Sequence, residues 1–183
     1  MDERTLVRRC QAGEPGARRE MYETYAGQLL AVCRRYVQEG GKARDLVHDT
    51  FLKAWDSIGA FRLRRPGSLG AWLTRIATHL AVDELRKGKS LFPLDRELPL
   101  AEEAPVDMAW LRNVPVEELI DLIASLPEGY RTIFNLYCLD GWSHREIAQL
   151  LGITEKTSQT QYLKARRKLA AMIAAKYGKD ETD

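Results

Sequence analysis

Leu126-Pro127-Glu128-Gly129-Tyr130-Arg131 opens the stretch that decides the fold. An apolar run, Ile133-Phe134-Asn135-Leu136-Tyr137, carries it on, and it ends near Leu169. Asp140-Gly141 breaks that run. Ser143 then precedes Glu146 by three residues, a capping-box spacing that starts a new helix. Ile147, Ala148, Leu150 and Leu151 supply that helix with an apolar face. Gly152 stops it, because glycine accepts the left-handed backbone that a tight helix exit needs. Thr154 caps a longer, basic helix running towards Met172. Short helix, glycine turn and longer helix together read as a helix-turn-helix. Ala148 is small where the two helices would cross, and Ile153 has the bulk to fill the gap.

The longer helix carries Lys156, Gln159, Thr160, Gln161, Leu163, Lys164, Arg166, Arg167 and Lys168. Its first turns offer amides and hydroxyls suited to base edges, and its later turns offer cations suited to phosphates. The plainer alternative is a helical hairpin with a solvated basic face.

The 183 residues allow one domain or two small ones, and the hydrophobic (45%) and charged (30%) fractions suit a globular chain. A net charge of +2 argues against a protein that is basic all over, but the charge is segregated. From Arg62 to Lys89 the cations outnumber the carboxylates, from Ser90 to Asp121 the carboxylates dominate, and from Thr154 to Lys179 the cations do so again. Two basic blocks around an acidic one suggest two surfaces for a polyanion. Cys10, Cys33 and Cys138 are far apart and in no C-x-x-C spacing, which reads as buried or partly buried thiols in a reducing cytosol. Met1-Asp2-Glu3-Arg4 leads straight into a charged amphipathic segment, so no signal peptide is expected. No apolar run approaches the ~20 residues of a membrane helix.

In chain order, residues 3–12 read as a short helix stopped by Gly13 and Pro15. A long helix follows over 16–38, with Met21, Tyr25, Leu29, Val32, Cys33 and Tyr36 inward, ended by Gly40-Gly41. A third helix over 42–58 turns Leu46, Val47, Thr50, Phe51, Ala54, Trp55 and Ile58 inward and shows Asp45, His48, Asp49, Lys53 and Asp56 on its other side. A basic loop over 60–67 contains Phe61, Arg62, Arg64 and Arg65. Ser68 is expected to cap a fourth helix to Lys87, with Leu69, Trp72, Leu73, Ile76, Ala77 and Leu80 as its core stripe. Pro93, Pro99, Pro105 and Pro115 recur through an acidic linker over 89–115, in which Ala109-Trp110-Leu111 offers a short docking turn. Helices over 116–125, 128–139, 143–151 and 154–176 complete a second domain. No segment alternates with period two, so the expected fold is all-α. Its domains span 1–88 and 116–178, joined by the linker and followed by a tail at 179–183.

Leu126-Pro127 to Phe134, Gly141-Trp142-Ser143, Glu146-Ile147-Ala148, Gly152-Ile153 and Lys164-Ala165-Arg166 together resemble the C-terminal domain of bacterial sigma factors of the small extracytoplasmic-function (ECF) group. The N-terminal half matches independently. Asp45-Leu46-Val47-His48-Asp49-Thr50-Phe51-Leu52-Lys53-Ala54-Trp55 is similar to the segment by which those proteins dock on RNA polymerase. Ala71-Trp72-Leu73-Thr74-Arg75-Ile76-Ala77 through Asp83-Glu84-Leu85-Arg86-Lys87 is similar to their promoter-melting helix. His48 stands where the family usually has Gln, and His79 where it often has Asn. Ser158-Gln159-Thr160-Gln161 replaces a pattern of an apolar residue followed by basic ones, which leaves the promoter sequence open.

The resemblance implies a cytoplasmic transcription initiation factor whose partners are core RNA polymerase and promoter DNA, with an anti-sigma factor as a further candidate partner. It assigns core-polymerase binding to Asp45, His48, Asp49, Leu52, Lys53 and Asp56. Contacts to melted promoter DNA fall to Phe61, Arg62, Arg64, Arg65, Arg75, His79 and Arg86. The upstream element is read by Lys156, Gln159, Thr160, Leu163, Lys164 and Arg167. The acidic linker is either a passive tether, a strand that masks the two basic surfaces in the free chain, or, as the resemblance implies, a stand-in for nucleic acid in the polymerase channel. A helix-turn-helix repressor or activator independent of the polymerase would explain residues 126–172 but not the first domain. An enzyme such as a nuclease would need metal ligands. Asp45, His48 and Asp49 have helical ligand spacing, but the rest of such a site is missing, so no catalytic residue, metal or cofactor is expected.

Overall fold

The computed structural model describes residues 2–87 and 114–177. The chain divides into two compact units, Met1–Lys89 and Ser90–Asp183. Nearly all of the expected acidic linker, with its docking turn at Ala109-Trp110-Leu111, lies outside the described residues, as does the tail. Every regular element among the described residues is helical.

In the first unit, α1 spans Glu3–Gln11, α2 Pro15–Tyr36, α3 Gly40–Ser57 and α4 Ser68–Arg86, with a short 3-10 turn at Ile58–Ala60 after α3. Asp2 caps α1 by accepting the Arg4 and Thr5 amides. Pro15 starts α2 at its first position, where a missing N–H costs nothing. The α2, α3 and α4 helices pack on one another around Met21, Leu29, Cys33, Tyr36, Phe51, Leu69, Leu73 and Val82, all buried. Each of the Met, Leu, Phe and Val side chains contributes about 1.5–3 kcal/mol through its burial.

Three local expectations fail in this unit. Gly40 and Gly41 do not end α2; they form the first turn of α3, because α2 stops earlier at Tyr36. Ser68 is not the cap of α4. Gly67 takes that position at φ +83, a left-handed backbone that an L side chain rarely adopts, and the Ser68 hydroxyl instead accepts the Arg65 amide at 3.2 Å. The core stripe of α4 is Leu69, Leu73, Ala77 and Ala81, flanked by Thr78, Val82 and Leu85. Small residues there let the neighbouring helices close in, which leaves Trp72, Ile76 and Leu80 half-buried at the border.

In the second unit, α5 spans Val116–Ala124, α6 Glu128–Phe134, α7 His144–Leu151 and α8 Glu155–Tyr177. The end of α6 loosens into a π turn over Asn135–Leu139, where the Asp140 amide donates to the Asn135 carbonyl at 2.9 Å. Val114, Ile123, Leu126, Phe134, Ala165, Leu169 and Ile173 form one core cluster. Buried Arg131 ties the α5–α6 corner, its Nη1 donating to the carbonyls of Ala124 at 2.8 Å and Leu126 at 3.1 Å. Lys176 and Tyr177, at the end of α8, both donate to Glu118 on α5.

Candidate nucleic-acid and protein interfaces

The outer face of α3 carries Asp45, His48, Asp49, Leu52, Lys53 and Asp56, all exposed. Helical spacing puts them together because Leu46, Val47, Thr50, Phe51 and Ala54 occupy the inward positions. Leu52 is 56% exposed, an apolar group held in water among charges. The surface extends onto α2, which the reading of α3 alone did not include. There Tyr22 stacks on His48 with ring centroids 5.8 Å apart and planes 19° apart. The Arg18 guanidinium lies 5.7 Å from the Trp55 ring. Arg18 and Tyr22 are four apart on one helix, and that spacing was the available signal.

The basic loop and α4 form a second surface. Arg62, Arg64, Arg65, Arg75, His79 and Arg86 are exposed, and Phe61 is half-buried. Phe61 packs against Trp72 at 4.7 Å, so Trp72 belongs to an aromatic pair at the surface rather than to the core of α4. Arg62 is turned back on its own loop, its Nη1 donating to the Gly59 carbonyl at 3.0 Å and the Phe61 carbonyl at 3.1 Å. Desolvation holds the His79 imidazole below its ordinary value, aided by Arg75 and Lys53 and opposed by Asp83.

The helix-turn-helix forms the third. Both halves of the capping box are made: the Glu146 amide donates to the Ser143 hydroxyl at 3.3 Å, and the Ser143 amide to the Glu146 carboxylate at 2.9 Å. Gly152 ends α7 at φ +67. The Thr154 hydroxyl accepts the Thr157 amide at 3.0 Å, as its capping role requires. Along α8, Lys156, Gln159 and Leu163 are exposed, while Thr160, Lys164 and Arg167 are half-buried. Gln161, expected among the groups that reach bases, is buried, because it falls on the same side as Ser158, Ala165 and Leu169. Ser158 is fully buried where α7 and α8 meet, and its hydroxyl pairs with His144 Nδ1 at 2.9 Å. His144 in turn stacks on Tyr137 at 4.2 Å with planes 13° apart. Tyr162 packs on Tyr137 at 4.6 Å, and its hydroxyl meets at 3.1 Å the Sγ of Cys138, which is exposed rather than buried as expected. The Arg166 guanidinium lies 5.7 Å from the Tyr162 ring. Burial holds His144 below its ordinary pKa, partly opposed by Glu155.

Among the described residues no cluster of three or more His, Cys, Asp or Glu side chains could hold a metal, and no helix is long and apolar enough to cross a membrane.

The sigma-70 region 2 family matches residues 21–90 and the sigma-70 region 4 family matches residues 116–169. The ECF RNA polymerase sigma factor SigW of Bacillus subtilis is 27% identical over 178 residues, covering 91% of this chain and 94% of that protein. The ECF RNA polymerase sigma factor BldN of Streptomyces coelicolor is 30% identical over 174 residues, covering 92% of this chain and 64% of that protein. Among solved structures, CnrH in complex with the cytosolic domain of CnrY superposes with a TM-score of 0.53 at 24% identity. It covers 94% of this chain and 97% of its own, so the two share a fold.

Proposed function

Because sigma-70 regions 2 and 4 account for both folded units, the chain belongs to the ECF group of that family, and we propose a division of its work among the three surfaces. The chain is a sigma factor that binds core RNA polymerase and directs promoter recognition. In the proposed division, the α3 face around Leu52 docks on the polymerase, the exposed apolar side chain acting as anchor and the carboxylates fixing orientation. The 60–67 loop and α4 take up the melted strand, with Phe61 and Trp72 as a stacking platform and Arg64, Arg65, Arg75 and Arg86 meeting phosphates. The α8 helix enters the major groove of the upstream element through Lys156, Gln159, Thr160 and Leu163, while Lys164 and Arg167 contact phosphates.

The reading places the protein in the cytoplasm as an initiation factor that leaves RNA synthesis to the core enzyme, and it includes an anti-sigma factor among the partners. The observation that carries it is the α7–α8 arrangement: complete caps and the bond from buried Ser158 to half-buried His144 fix α8, with Gln159 and Lys156 left in water. A gel shift comparing the free chain with its complex with core polymerase tests it. Weak, salt-sensitive binding of promoter duplex by the free chain and specific binding by the complex are expected, since net charge is low and the basic surfaces are split. Tight, sequence-specific binding by the free chain would favour a repressor.

A further inference from the structure

Helix α1 precedes the region 2 match, which begins at residue 21, and none of the three surfaces uses it. Its seat is well defined. Leu6, Val7 and Cys10 are buried, and Arg9 pairs with Glu14 at 2.9 Å and Glu20 at 2.8 Å. From that seat α1 reaches the segment from Ile58 to Leu69 at both ends. The Glu3 carboxylate accepts the Gly67 amide at 2.8 Å through Oε2 and the Leu69 amide at 2.8 Å through Oε1. At the far end of α1, Gln11 Nε2 donates to the Ile58 carbonyl at 3.0 Å and the Phe61 carbonyl at 2.9 Å. The two residues are separated by about 12 Å of helix. Between their grips lie Arg62, Arg64 and Arg65, with Phe61 held at the Gln11 end.

The contacts have a plain role in folding. Gly67 has no side chain with which to cap α4, and Glu3 replaces the missing cap, favoured by the helix dipole. The placement does more than that. A helix N-terminus beside three arginines would draw a phosphate. With a carboxylate already on those amides, an incoming strand meets the arginines and the Phe61–Trp72 pair instead. Gln11 adds nothing to the α4 cap; it fixes the carbonyls that set the exit from α3 and the direction of Phe61.

We infer that α1 is a brace for the basic loop, with Glu3 and Gln11 as positioning residues for promoter opening. The inference rests on the reading of that loop as the surface for melted DNA. The test uses the full chain with core polymerase and compares the parent, Glu3→Gln and the double variant Glu3→Ala/Gln11→Ala. Core affinity, closed-complex affinity, the rate of promoter opening and exchange of the Gly67 and Leu69 amides are measured. The double variant keeps both affinities but opens promoters about tenfold more slowly, through loss of charge-assisted hydrogen bonds, and both amides exchange faster. Glu3→Gln, with one acceptor oxygen replaced by a donor, falls between. Parental opening rates despite faster amide exchange overturn the inference. So does a loss of core affinity in step with opening, which makes α1 a general support of the fold. A parental chain that opens no promoter sinks the reading of the loop, and this inference with it.

Discussion

Replacing Ser158 by Ala probes how firmly α8 is held. Ser158 is fully buried, and its hydroxyl has His144 Nδ1 as partner at 2.9 Å. Alanine fits the space and removes one hydrogen bond, costing about 1 kcal/mol. His144→Ala removes the same bond and also the stack on Tyr137, for a total of about 2 kcal/mol. The double variant should cost about the same as His144→Ala alone, leaving a coupling of about 1 kcal/mol. Acid should reproduce the loss. The folded pKa of His144 is depressed by burial, so the unfolded state binds more protons below the ordinary value. The stabilisation is therefore complete above about pH 6.5 and declines as pH falls towards the folded value. Amide exchange in α7 and α8 of the full chain, corrected for intrinsic rates, is the assay. Ser158→Ala should speed it about fivefold, and His144→Ala should remove the extra acceleration on acidification. Additive single losses, or an acid response that survives His144→Ala, would refute the account of the α7–α8 junction.

Gln159→Ala should reorder promoter preference by about 1–3 kcal/mol at one base position, as read by selection from a promoter library, whereas unchanged ranking would misplace α8 in the groove. Lys164→Ala or Arg167→Ala should weaken all sequences alike and reduce the slope of affinity against salt by about one. Leu52→Asp should abolish capture by core polymerase while circular dichroism stays parental, because the side chain is 56% exposed and supports no core. Iodoacetamide followed by mass spectrometry should label Cys138, which is exposed, well before Cys33, which is buried with its thiol pushed up to about 11.

Much of this was legible because the signals are local. The Ser143–Glu146 box, Gly152 and Thr154 each act within a few residues of themselves, and all three do in the fold what their spacing requires. The faces of α3 and α8 follow from helical period, so the exposed side of α3 could be read directly. The phase of α8 was harder: polar Gln161 and Ser158 sit inward because the buried line runs through Ala165 and Leu169. Glycine misled at Gly40-Gly41, where neither φ is positive and the residues simply enter a helix. The π turn at Asn135–Leu139 depends on a backbone register that no composition marks. The grip of Glu3 on Gly67 and Leu69 spans 64 and 66 residues, a distance at which one sequence carries no pairing signal.

In the proposed division of work the α3, α4 and α8 surfaces act together on one polymerase. Run-off transcription with purified core enzyme and a promoter library tests it most directly. Promoter-specific transcripts are expected only when the chain and core are both present, and Leu52→Asp abolishes them. Transcripts that do not change when the chain is added, alongside tight duplex binding by the free chain, would contradict it.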